Sequence, residues 1–190
     1  CSACGKSLAA EYDLAAAKKG WARGDWPRLP GMWKYAPLLP ARSAEKIVAL
    51  GEGATPLLDA PGLAKRLGVK RLWIKEEGVN PTGSFKARGM AVAVTLAKSL
   101  GANHLCVPTA GNAGGACAAY AARAGLKATV YLPKDAPQAN IVEIRAAGAK
   151  AVLVEGDISD AAARMREQMK GTPMFDVSTL KEPYRVEGKK

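Results

Sequence analysis

The chain has 190 residues, 48% of them hydrophobic, enough to bury the core of one large domain or two small ones. Aromatic residues make up only 6%, against 20 glycines and many alanines, a balance that suits helices packed closely on a sheet. The formal net charge of +11 points to nucleic acid, an anionic membrane surface or acidic small molecules as partners, or to an acidic remainder of a longer protein, the reading favoured here.

The opening Cys1-Ser2-Ala3-Cys4-Gly5 has no basic-then-apolar signal pattern. Residues 99–122 carry no formal charge, but they include His104, Pro108, Asn112 and several glycines and read as strand, loop and helix, not as a membrane span. Cys106 and Cys117 stand singly in apolar runs, which fits a reducing, cytoplasmic setting better than a secreted disulfide framework. Cys1 and Cys4 have the spacing of a zinc knuckle, yet a structural zinc needs four ligands and no second pair is present. No metal site is therefore expected within these residues. Cys1 and Cys4 are read as a possible remnant of a knuckle.

Residues 18–46 are basic and rich in tryptophan, with Trp21, Trp26 and Trp33 among Lys18, Lys19, Arg23, Arg28 and Lys34. Such a run can stack single-stranded nucleic acid. The plainer reading, an irregular arm that packs its tryptophans on the body, is preferred because no nucleic-acid fold signature accompanies it. Pro56 keeps the glycine-loosened loop Gly51–Gly53 extended as it enters a short strand. A short helix follows over 63–67, ended by Gly68, and then a strand over 71–75.

Next comes Asn80-Pro81-Thr82-Gly83-Ser84-Phe85-Lys86-Ala87-Arg88-Gly89. Pro81 and Gly83 are turn residues, Ser84 is a good N-cap, and the run 87–100 reads as a helix closed by Gly101. Lys86 then lies in the first turn, where the helix dipole and burial both disfavour a protonated amine. A neutral amine is what condensation with an aldehyde cofactor requires. The alternative is an ordinary surface lysine near a helix start.

From His104 on, strands at 105–108, 128–132, 151–154 and 174–177 alternate with helices at 116–124, 138–147 and 160–169, as in consecutive βαβ units of a parallel sheet. Loops at the carboxyl ends of such strands bind ligands, and the first is Thr109-Ala110-Gly111-Asn112-Ala113-Gly114-Gly115. Its backbone N–H groups at a helix start form an anion site. A dinucleotide loop is disfavoured, because the glycines do not fit G-x-G-x-x-G and no acid ends the next strand.

The Asn80–Gly89 string resembles the cofactor-lysine motif of the fold-type II pyridoxal-phosphate enzymes, most closely that of the threonine synthases, with Ala87 where many members have Asp. The segments Trp33–Pro40 and Leu50–Leu58 are similar to further landmarks of that family, and Thr109-Ala110-Gly111-Asn112 matches its Ser/Thr-x-Gly-Asn loop. The resemblance implies an α/β fold of the tryptophan synthase β type, with a parallel-sheet small domain and part of a larger α/β domain. It divides the chain into an arm (1–48), a large-domain part with the cofactor lysine (49–102), a small βαβ domain (103–180) and a return segment (181–190). Pyridoxal 5'-phosphate is the implied cofactor and Lys86 the implied catalytic residue. Lys86, Phe85 and Asn112 are implied to hold the cofactor, and Ser84, Thr109, Ala110, Gly111 and Ala113 the substrate. Arg88 and Lys75 are weaker candidates for a substrate phosphate.

The implied reaction is a lyase step of threonine biosynthesis on a small phosphorylated amino acid, in a homodimer, with neither nucleic acid nor membrane as partner. A serine or threonine dehydratase and a cysteate-synthase-like enzyme are the alternatives within this chemistry. A non-catalytic βαβ binding domain with a nucleic-acid-contacting arm is the alternative outside it. Related racemases carry a catalytic Ser where this chain has Ala110, which counts against racemisation. The family's glycine-rich loop for the cofactor phosphate and its Ser or Thr at the pyridine nitrogen have no counterpart in these residues. The resemblance therefore suggests the first half of such an enzyme, truncated before Cys1 and after Lys190.

Overall fold

A computed structural model describes residues 3–6, 8–41 and 47–190. The expected knuckle remnant lies partly outside the described residues, because Cys1 does; Cys4 is exposed. Contrary to the expected irregular arm, helix α1 forms over Leu14–Arg23. The Asp13 carboxylate accepts the Ala16 N–H at 2.8 Å, and Gly24 closes the helix in a left-handed conformation (φ 74°). A 3-10 stretch over Gly31–Leu38 buries Met32 and Trp33. The Trp26 indole stacks edge-on against Trp21 and Tyr35, with centroids 4.9 and 6.1 Å apart, and donates to the Ala17 carbonyl.

Strand β1 (Leu57–Asp59) pairs antiparallel with β2 (Trp73–Lys75), and helix α2 (Pro61–Leu67) lies between them in sequence. Helix α3 (Lys86–Ser99) is buried over most of its circumference, from Ala87 to Ala97. Its alanines let it sit among other elements without a polar face. The remaining elements alternate: β3 (His104–Pro108), α4 (Asn112–Ala124), β4 (Lys127–Pro133), α5 (Gln138–Ala146), β5 (Lys150–Val154), α6 (Ile158–Met169) and β6 (Met174–Asp176), followed by the short helix α7 (Tyr184–Glu187). Helix α6 carries a capping box between Asp157 and Asp160.

The four late strands are parallel in the order β5-β4-β3-β6. Side chains alternate across the sheet. Leu105, Val107, Val130 and Leu132 join the larger cluster with α3 and α4, while Cys106 and Tyr131 pack against Ala161 and Met165 of α6 on the other face. The chain builds outward from β3 to β5, then returns to the other side of β3 with β6. That reversal is a topological switch point, where open α/β sheets bind ligands at the carboxyl ends of their strands.

Helix α4 begins at Asn112, four residues before the start expected from its alanine run. Gly114 and Gly115, expected in the loop, belong to the helix because neighbours occupy their side-chain space. A Cβ on Gly114 would lie 2.7 Å from Ile144 and 2.9 Å from Val130, and one on Gly115 would lie 2.2 Å from the Glu143 carboxyl group. The close packing of α4 on β4 and α5 leaves no room for a side chain at Gly114, while at Gly115 only the end of the Glu143 side chain stands in the way. Among the described residues no helix is long and apolar enough to cross a membrane.

Candidate active site

The Lys86 turn is held in an unusual backbone. Thr82 and Gly83 both have left-handed φ (62° and 64°), which costs a side-chain-bearing residue such as Thr82 about 1–2 kcal/mol. The Ser84 hydroxyl accepts the Lys86 N–H at 3.3 Å, so its capping role is met although α3 is entered through Phe85. This engages Ser84, a candidate substrate ligand, with the turn itself. Lys86 Nζ lies over the Phe85 ring, 3.8 Å from its centroid. Burial, then the positive Arg185 guanidinium, lowers the Lys86 pKa below that of an ordinary lysine.

Helix α4 packs against the 81–83 turn, which brings the Thr109–Ala113 loop to the Lys86 side of the molecule. Thr109 is buried, and its hydroxyl accepts the Gly111 N–H at 3.1 Å, bending the loop back on itself. The Gly114 N–H goes to the Gly111 carbonyl. Among the described residues no side chain caps α4, whose first N–H groups lack intrahelical acceptors. Asn112 is exposed at the first residue of α4, Ala110 is exposed, Gly111 is half-buried and Ala113 is buried.

The structure engages Arg88 and Lys75 away from the phosphate role considered for them. The Arg88 Nε and Nη2 bond the two Glu77 carboxylate oxygens at 2.6 and 2.7 Å, and Lys75 Nζ donates to the Thr55 carbonyl. Arg185, not singled out from the sequence, takes a more central place. It is 4% exposed and gives one N–H to the Val177 carbonyl at 2.9 Å. Its backbone packs on α3 where Gly89 leaves room: a Cβ there would sit 2.6 Å from the Arg185 carbonyl oxygen.

Arg185 lines an open cleft of about 420 Å³ at the carboxyl ends of β3 and β6, together with Thr109, Ala113, Ser159, Ser178 and Thr179. Lys86 lies outside that lining and is coupled to it through the Arg185 charge. Lys189 is held below the ordinary lysine range by burial and by Arg185 and Lys86. Three cations thus crowd one region and disfavour one another's charge, an arrangement that an anionic ligand relieves. The sequence signal that could have found Arg185 was its position just after the last parallel strand, at the switch point.

A sequence profile of the pyridoxal-phosphate dependent enzyme family matches residues 48–190, and the chain belongs to that family. Pyridoxal 5'-phosphate is therefore the implied cofactor, and the residues present fit it. An amine of lowered proton affinity suits an aldehyde, and the Thr82 hydroxyl and Arg185 Nε, on either side of Lys86 in sequence, are buried without a partner among the described residues. Among individual relatives, the threonine synthase of Methanosarcina acetivorans is 37% identical over 191 residues, covering all of this chain and 46% of the relative. That of Methanocaldococcus jannaschii is 40% identical over 161 residues, covering 84% and 40%. The chain thus spans less than half the length of these curated relatives, matching their amino-terminal part.

Among solved structures, a pyridoxal 5'-phosphate-dependent aspartate racemase superposes with TM-score 0.65 at 28% identity, covering 70% of this chain and 42% of that one. An L-serine ammonia-lyase from Rhizomucor miehei gives TM-score 0.61 at 26% identity, covering 66% and 40%. The fold is that of the fold-type II enzymes.

Proposed function

We propose that the chain carries part of a threonine synthase active site, for conversion of O-phospho-L-homoserine and water to L-threonine and phosphate. The observation that carries this reading is Arg185, whose charge with burial depresses the Lys86 amine and which also lines a cleft with Ser178, Thr179 and Thr109. The similarity to threonine synthases supports it.

When bound, pyridoxal 5'-phosphate supplies an electron sink for carbanions. Lys86, Phe85 and Asn112 would hold the cofactor. Lys86 takes the proton from the substrate α carbon and moves protons at the β carbon. The free N–H groups at the start of α4, shaped by Thr109, Ala110, Gly111 and Ala113, hold the substrate carboxylate. Arg185, with the hydroxyls of Ser178 and Thr179, holds the substrate phosphate as it leaves from the γ carbon. Ala110 offers no hydroxyl to deliver a proton to the opposite face, which separates this reading from that of the structurally similar racemase.

The whole protein acts as a homodimer in the cytoplasm; the buried, single Cys106 and Cys117 suit a reducing compartment. Borohydride reduction of the cofactor-loaded full-length protein, with peptide mapping, is expected to mark Lys86, and a label on another lysine overturns the assignment. Phosphate release from O-phospho-L-homoserine, with no keto acid from threonine, separates synthase from dehydratase.

A further inference from the structure

One carboxylate closes the Lys86 turn into a ring. Glu77, just before the turn, accepts the Asn80 side-chain N–H at 2.8 Å at the turn's entrance. It takes two N–H bonds from Arg88, at 2.6 and 2.7 Å, at the turn's exit. The ring is fastened to the preceding loop at two points. The Thr55 hydroxyl donates to Glu77 at 2.7 Å, and the Asn80 side-chain oxygen accepts the Gly53 N–H at 3.0 Å. Inside the ring lie the left-handed Thr82 and its buried hydroxyl, which has no partner among the described residues, followed by Lys86.

We propose that Glu77 and Arg88 are positioning residues for Lys86: the ion pair holds the turn shut and so keeps the Lys86 amine half-buried. The proposal rests on the reading of Lys86 as the cofactor lysine. Isolated exposed ion pairs contribute little, about 0–1 kcal/mol. This one is forked, partly buried at 19% and 26% side-chain exposure, and shares its carboxylate with two further donors. A strained residue such as Thr82 persists only where surrounding bonds over-determine it. With the ring open, Thr82 relaxes, the turn swings outward and water reaches the Lys86 amine. The desolvation that favours the neutral amine is then lost. Arg185 and Lys189, the other cations around Lys86, sit on the return segment, outside the ring.

The test is the pH dependence of acylation of the Lys86 amine, read by mass spectrometry in the full-length protein stripped of cofactor. Glu77→Gln and Arg88→Met are compared with the parent, and Glu155→Gln, which breaks the exposed ion pair to Lys134, serves as the control. The parent's Lys86 midpoint is expected below that of its other lysines, the two ring variants are expected to move it up by about one unit, and the control is expected to leave it in place. At neutral pH that is about tenfold less free amine. A depressed parent midpoint that stays unchanged in folded ring variants overturns the positioning role. A parent midpoint equal to that of the other lysines overturns the reading of Lys86 instead. If the first two variants do not fold, Arg88→Lys, which keeps the charge and loses the fork, is read the same way.

Discussion

Lys86 destabilises the folded chain by the same property that suits it to chemistry. Its pKa is lower folded than unfolded, so at neutral pH folding takes place against a reluctant ammonium. The penalty is fully present below the folded pKa and fades as pH rises toward 10.5, so stability from this group increases with pH across that window. Lys86→Met in the cofactor-free protein is therefore expected to melt above the parent at neutral pH, with the gap closing as pH approaches the lysine range. The same variant is expected to lose at least about a hundredfold in phosphate release, the contribution of a positioned proton carrier. Arg185 makes the complementary case. Arg185→Met is expected to raise KM for O-phospho-L-homoserine by about tenfold to a hundredfold, as loss of a charged hydrogen bond does, with a smaller change in kcat. Steady-state phosphate release measures both variants.

At the scale of elements, two devices place the site. The first is the glycine seam of α4. Gly114→Ala puts a methyl against Ile144, Val130 and Thr109 together, and is expected to cost about 1–3 kcal/mol by denaturant titration. Gly115→Ala meets only the end of the Glu143 side chain, which can swing aside, and is expected to cost less. The second device is the ring around the Lys86 turn. Arg88 holds the Glu77 pKa down to about 2, against an ordinary 4.5. A depressed carboxylate stabilises above its unfolded pKa, and this contribution is lost as pH falls from about 4.5 toward 2. The ring is thus intact at any pH where the lysine amine is useful. Arg88→Met is expected to flatten the parent's loss of stability between those two pH values, as read by thermal melts across acid pH.

Across the whole molecule, Glu52 ties three regions together. It is fully buried and accepts hydrogen bonds from the Trp33 indole of the arm, the Tyr120 hydroxyl of α4 and the Leu50 N–H of its own loop. The loop lies against the arm so closely that a Cβ on Gly31 would sit 2.0 Å from the Glu52 carbonyl oxygen. Glu52→Ala strands buried donors on both the arm and α4, and is expected to cost about 2–4 kcal/mol. Hydrogen exchange is expected to rise at the Trp33 indole and along α4 together, because one carboxylate holds both.

Local chemistry made much of this protein readable in its sequence. Apolar runs bounded by Gly68, Gly101, Gly125 and Gly148 marked helices and strands, because a left-handed glycine ends a helix whatever lies around it. The ten residues around Lys86 point to a tight turn running into a helix, and the run at Thr109 to a loop opening another, since both rest on turn chemistry within a few residues. The arm hides a helix: its Asp13 cap is legible, but the aromatic contacts that support it come from Trp26, beyond the helix end, folding back on Trp21 and Ala17. Gly114 and Gly115 read as loop in the sequence because only the neighbouring α5 and β4 show what a side chain there would meet. Arg185, Ser178 and Thr179 reach the site because β6 returns beside β3, and Glu77 meets Arg88 only across a folded turn. Strand order and the contacts between distant segments are properties of the packed chain. Tertiary structure alone therefore decided which cations surround Lys86 and which carboxylate holds it in place.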